Sequence, residues 1–379
     1  MRCPRRVPAV MVLALAVALL AAGCAGAANS ADASEANSGA AKRVEGPLAP
    51  ELAGIDGWLN SEPLKIVDLK GKVVLVDFWT YSCINCIRTL PYLKAWDERY
   101  RDQGLVIIGV HSPEFAFEKD PENVRMAIDK YGIKYPIALD NEHATWAAFG
   151  NHYWPHKYLI DKDRVIRYHH IGEGGYEETE QWIQTLLAEL PQATRGEGGS
   201  AMLATDTIGA PDVNFSQIQT PEIYLGYART RGNFGGAGGY GGASDSAGGF
   251  GGAGVLSAGE HVYALPDAPV ANQVYFRGTW RIEPDYSELV SDAGAVQLSY
   301  TARALNIVAG SSDRAVTSPF SITLDDKTPS GDRAGEDAPA GQGAVREQRL
   351  YNLISDAPGS HTIIINATKG FRIYTFTFG

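Results

Sequence analysis

Two cysteines two residues apart, Cys83-Ile84-Asn85-Cys86, stand where one periodicity hands over to another, and this joint constrains the chain more than any other feature. Before them, Gly71-Lys72 leads into the apolar run Val73-Val74-Leu75-Val76, which predicts a buried strand, followed by Asp77-Phe78-Trp79-Thr80-Tyr81-Ser82. After them, Ile87, Leu90, Leu93, Trp96 and Tyr100 recur at helical spacing. Cys83 therefore sits at a helix N-terminus, where unpaired backbone N–H groups and the positive end of the helix dipole favour thiolate over thiol. Cys86 lies one turn further in, near enough to close a disulfide and more buried. This geometry makes Cys83 the attacking sulfur and Cys86 the resolving one. It also predicts a Cys83 pKa below the ordinary ~8.5 and a Cys86 pKa above it. Ile84-Asn85 brings no positive charge, so the depression should be moderate and the pair intermediate or reductant-like.

Other uses of the pair fit less well. Zinc would need two further Cys or His ligands, and Pro155 between His152 and His156 argues against one helical face. A structural disulfide closing so short a loop would restrict the unfolded chain little. No metal is expected, and no cofactor beyond a redox-active Cys83–Cys86 disulfide. The 379-residue chain is 45% hydrophobic, enough for two cored domains, and its net charge of −11 disfavours nucleic acid as a partner.

The two other cysteines lie at the start. Met1-Arg2-Cys3-Pro4-Arg5-Arg6 is cationic, Val7 to Ala22 is apolar, and Leu20-Ala21-Ala22-Gly23 precedes Cys24. The pattern resembles a bacterial lipobox, with Ala21 where that family usually has Leu. The resemblance implies a lipoprotein signal peptide over 1–23, a diacylated Cys24 and a flexible tether over 24–46. The chain is then expected in the bacterial cell envelope, extracytoplasmic and lipid-anchored to a membrane.

Val73 to Trp79 leading into the CxxC, with Pro91 eight residues after Cys83, resembles the thioredoxin superfamily, and within it the TlpA/ResA/DipZ branch of exported thiol-disulfide oxidoreductases. An N-terminal hairpin over Leu52 to Leu69, Val106 to Glu114, an inserted helix around Glu122 to Tyr131, Tyr135 to Asp140 and Trp154-Pro155 extend the likeness. The resemblance implies an α/β thioredoxin-like domain over 47–192. It implies that Asp77 takes the proton of Cys86, that Pro155 is the cis-proline beside which substrate backbone pairs, and that Glu114 is a carboxylate near the disulfide. Trp79 and Trp154 flank the site as substrate-contacting residues. DipZ proteins carry a multi-span electron-transfer module before this domain, and here a lipoprotein signal takes that place. Re-reduction should then come from a separate membrane thiol donor of the DipZ/CcdA type.

Residues 193–214 are polar with scattered Gly, as a linker would be. Beyond them, short runs such as Phe320 to Leu324 and Tyr374 to Phe378 alternate apolar and polar residues, predicting an all-β, jelly-roll-like sandwich over 215–379. A Gly-rich insert occupies 232–254, 12 of its 23 residues being glycine, too few side chains to form a core of its own. Thr220 to Tyr227 and Tyr374 to Gly379 resemble the carbohydrate-binding-module-like domain of DipZ, which makes a glycan a candidate ligand, with Trp280, Tyr275 and Arg277 as candidate contacts. The leading expectation is an oxidoreductase exchanging electrons with exported thiol and disulfide proteins. The alternative is a cell-envelope glycan- or protein-binding protein with an accessory thioredoxin module.

Overall fold

The computed structural model describes residues 46–191, 208, 213, 215–235 and 256–379. The signal peptide, residues 24–45 of the tether with Cys24, most of the 193–214 linker and most of the Gly-rich insert lie outside the described residues.

β2 (Val73–Trp79) is buried along its whole length, as its apolar run requires, and lies inside a six-stranded sheet of order β1-β4-β3-β2-β5-β6. The other strands are β1 (Gly57–Leu59), β3 (Leu105–His111), β4 (Ile137–Leu139), β5 (His156–Ile160) and β6 (Ile166–Ile171). β2, β3 and β4 run parallel, while β5 pairs antiparallel with both β2 and β6. Side chains alternate across β2: Val73, Leu75 and Trp79 join one core, and Val74, Val76 and Phe78 join the other. The first core is closed by α1 (Ile84–Tyr100), α2 (Pro121–Tyr131) and α4 (Tyr176–Ala188); α3 (Ala144–Ala148) sends Trp146 to the second. The expected N-terminal hairpin is not formed. Only β1 extends there, and it pairs with β4, since the turn Ile66–Leu69 closes as a 3₁₀ helix and leaves no second strand.

The second domain is all β and antiparallel: β7 (Ile223–Tyr224), β8 (Gly259–Tyr263), β9 (Val274–Ile282), β10 (Ser287–Leu289), β11 (Ala293–Thr301), β12 (Leu305–Ser311), β13 (Ser318–Leu324), β14 (Gln342–Val345), β15 (Arg349–Ile354), β16 (Ser360–Thr368) and β17 (Phe371–Phe378). The two layers expected of a sandwich are joined through β9 and β10 into one hydrogen-bonded path that encloses a single core with Trp280, Phe276 and Tyr300. β10 and β14 escaped the sequence reading because strands of three and four residues show no alternation; their pairing partners create them.

An apolar cluster joins the two domains. Phe115 of the first packs with Val308, Leu350 and Tyr374 of the second, and Ile84, Ile87, Phe117, Tyr224 and Tyr286 border the same cluster. Ile84 is the residue after Cys83, so the β-domain approaches the cysteine pair itself.

Candidate active site

Cys83 caps α1. Its backbone is extended (φ −80°, ψ 117°), and its Sγ accepts the Cys86 N–H at 3.2 Å. Both cysteines are free thiols; Cys83 is half-buried and Cys86 is 1% exposed. The expected depression of the Cys83 pKa is not what this environment produces. Loss of water pushes the Cys83 thiol up, more than the cap bonds from Cys86 pull it down, and the charges of Glu222 and Glu114 add to the rise. Cys86 is pushed well up by burial, by Cys83 and by Asp77. The helix N-terminus is present, but its partial charge does not offset the burial of the sulfur.

Asp77 lies on the helix-facing side of β2, 1% exposed, and its Oδ1 has no hydrogen-bond partner. Burial raises its carboxyl to about 7, tempered by Lys157, which stands opposite it in the β2–β5 register. Lys157 is buried too, donates to the Gly172 carbonyl at 3.0 Å, and has its own pKa lowered by burial. The Trp154–Pro155 bond is cis, and Pro155 is buried. Trp154 donates from Nε1 to the Ser112 carbonyl at 2.9 Å and packs, like Cys83, against the helix-side core.

Trp79 is a correction. It is fully buried, so it cannot touch a substrate; alternation along β2 turns it into the core beside Leu75. Glu114 is held by the other domain. Its Oε1 accepts from Arg229 Nη2 at 2.7 Å and from the Tyr224 hydroxyl at 2.6 Å, and its carbonyl accepts from Arg229 Nη1 at 2.7 Å. Two of the three candidate glycan contacts fare no better than Trp79, while Arg277 is exposed and donates to Asn366 Oδ1 at 2.9 Å. Trp280 and Tyr275 are buried, and Trp280 donates to the Arg277 carbonyl at 3.0 Å, so neither offers a ring face to a sugar. Nor is His156 a free ligand, since Asn151 Oδ1 lies 2.7 Å from its Nδ1 and His169 Nδ1 3.1 Å from its Nε2.

Glu118 escaped sequence reasoning. Completely buried, it accepts from Ser82 Oγ at 2.5 Å, from the Glu114 N–H at 2.5 Å and from the Phe115 N–H at 3.0 Å. It thus ties the residue before Cys83 to the loop that meets the β-domain. Burial and Glu114 raise its carboxyl to about 7. Nothing local to Phe117-Glu118-Lys119 marks the acid as buried, because its partner Ser82 lies 36 positions away.

A CxxC capping the helix that follows the central strand of a mixed sheet, with a buried carboxyl behind the second cysteine, defines a thioredoxin-like redox module. Residues 45–186 match the Redoxin family and residues 239–379 the family of thioredoxin like C-terminal domains. The thiol-disulfide oxidoreductase YkuV of Bacillus subtilis (strain 168) is 33% identical over 140 residues, 37% of this chain and 94% of YkuV. ResA of Bacillus thuringiensis (strain Al Hakam), also a thiol-disulfide oxidoreductase, is 29% identical over 141 residues, 37% of this chain and 78% of ResA. Protein DipZ of Mycobacterium tuberculosis (strain CDC 1551 / Oshkosh) is 36% identical over 357 residues, 93% of this chain and 46% of DipZ. The chain therefore spans less than half the length of DipZ. It belongs to the thioredoxin-like thiol-disulfide oxidoreductases.

Proposed function

We propose that this protein reduces disulfides of exported proteins in the cell envelope, through Cys83 and Cys86, while anchored to a membrane by a lipid on Cys24. The observation that carries the reading is Cys83 Sγ at the N-cap of α1, half-buried, with Cys86 one turn in beneath it. The Cys83 thiolate attacks a substrate disulfide and forms a mixed disulfide. Asp77 takes the proton of Cys86, whose sulfur then displaces the substrate and leaves the Cys83–Cys86 disulfide, the only cofactor the cycle needs. Trp154, half-buried beside Pro155, is the wall along which the substrate segment lies. A membrane thiol donor of the DipZ/CcdA type returns the pair to thiols. In this reading 47–192 is the redox domain, 193–214 the linker and 215–379 the β-domain.

Cys86→Ser should accumulate substrates as mixed disulfides on Cys83, because attack survives while resolution is lost. Non-reducing electrophoresis and mass spectrometry of the adducts check this; equal trapping by Cys83→Ser reverses the roles of the two sulfurs. For the anchor, a buried acyl chain contributes ~0.8 kcal/mol per CH₂, so Cys24→Ser should move the protein from the membrane to the soluble fraction. Fractionation of that variant with the membrane, as for wild type, rules the lipid out.

A further inference from the structure

The turn between β6 and α4, Gly172-Glu173-Gly174-Gly175, bears a single side chain beyond hydrogen, that of Glu173. Its three glycines hold left-handed backbone, at φ 83°, 84° and 57°, which lets the chain reverse but leaves nothing apolar to seat the turn. Polar anchors seat it instead. The Gly172 N–H donates to the carbonyl of cis-Pro155 at 2.8 Å, and the Gly172 carbonyl accepts from Lys157 Nζ at 3.0 Å. The Glu173 carboxylate accepts from Arg88 Nε at 2.8 Å and from Arg88 Nη2 at 2.7 Å, the two side chains being only 10% and 5% exposed for Arg88 and Glu173. Arg88 Nη2 also donates to Asn85 Oδ1 at 2.9 Å, inside the Cys83–Cys86 stretch.

Two adjacent residues of one turn thus grip both sides of the redox site. Gly172 holds the cis-proline loop, and Glu173 holds the first turn of α1. Neither side can move away from the other without breaking one of these bonds. A buried ion pair is a weak source of net stability, because the cost of stripping water from both charges offsets their attraction. What the fork of Arg88 on a carboxylate supplies is geometry, since two parallel bonds fit in one arrangement only.

We propose that Glu173 is a positioning residue for disulfide exchange: by clasping Arg88 it keeps the start of α1 at a fixed spacing from the Pro155 loop, and so sets the slot in which a substrate segment meets Cys83. The proposal rests on the disulfide-exchange reading above and deepens it. Glu173 acts through Arg88 and Asn85, and the sulfur chemistry stays with Cys83, Cys86 and Asp77. A peptide disulfide has a backbone to lay beside Pro155 and needs the slot. A small aryl disulfide has none and does not.

That difference tests the idea. Glu173→Gln keeps the shape of the side chain and removes the charge that clasps Arg88. Arg88→Met combined with Glu173→Gln removes the pair together and leaves no guanidinium buried without its partner, which guards against a variant that merely misfolds. In single turnovers of the fully reduced full chain, each variant should lose about tenfold or more in its rate with a cystine peptide relative to an aryl disulfide, since a misplacement of about 1 Å costs on the order of 10²-fold. The loss should show as a higher half-saturating concentration of peptide, because the slot binds the segment before the sulfur attacks. Lost stability alone would slow both disulfides together. A peptide-to-aryl ratio no lower than that of wild type in the double variant overturns the role of Glu173 and leaves a plain structural ion pair; a wild type inert toward both disulfides overturns the exchange reading itself.

Discussion

Replacing Asp77 with Asn should slow closure of the Cys83–Cys86 disulfide about 10²-fold at pH 8, the loss typical of a removed general base. Only the ionised carboxyl can take the Cys86 proton, and burial raises Asp77 from its ordinary value to about 7. The wild-type closing rate should therefore climb as pH rises through about 7 and level off above it. In the Asn variant that step vanishes, and the rate climbs only at the much higher pH where Cys86 itself ionises. Rapid mixing of the pre-formed mixed disulfide on Cys83, with release of the substrate thiol followed across this range, gives both profiles. Superimposable profiles would remove Asp77 from the mechanism and leave its unpartnered Oδ1 without a role.

Phe115→Ala should unfold the protein more easily by about 3–5 kcal/mol, as for other buried phenylalanines. The ring is 2% exposed, stacks on Phe117 at 5.5 Å, meets Tyr374 edge-on at 5.3 Å and lies under Arg229. Its loss should loosen the cover over Ile84 and let water back to Cys83. The Cys83 pKa, now held up by desolvation, should fall toward the ordinary ~8.5. Denaturant titration reads the first effect, and iodoacetamide alkylation against pH reads the second. Lost stability with an unmoved Cys83 titration would show that something other than this interface withdraws the sulfur from water.

What the sequence could show of the site follows the range of the forces involved. The N-cap of Cys83, the depth of Cys86 and the order of β2 and α1 depend on neighbours within a few residues, and periodicity displays them. The direction of the Cys83 shift follows from burial in the assembled fold, where residues far along the chain, such as Val308, Leu350 and Tyr374, pack against the neighbouring Ile84, and no local pattern reveals that. Glu118 was hidden for the same reason, its partner Ser82 being remote. Trp79 was within reach of the sequence. Period-two alternation puts it on the same buried side of β2 as Asp77, and that rule outranks its nearness to the cysteines. In the β-domain, long alternating strands such as β13 and β17 were readable, whereas the β9–β10 junction that joins the two layers is a tertiary outcome of pairing.

Redox stoichiometry in a single turnover tests the central claim most directly. Fully reduced protein is mixed with excess cystine peptide, quenched with acid and alkylated, and its cysteines are mapped by mass spectrometry while the released peptide thiol is counted. The account predicts one intramolecular Cys83–Cys86 disulfide and about two peptide thiols per protein, with adducts on Cys83 alone at the earliest times. Cys83 and Cys86 both still open to alkylation after the peptide has been given time to react, with no thiol released, would contradict it.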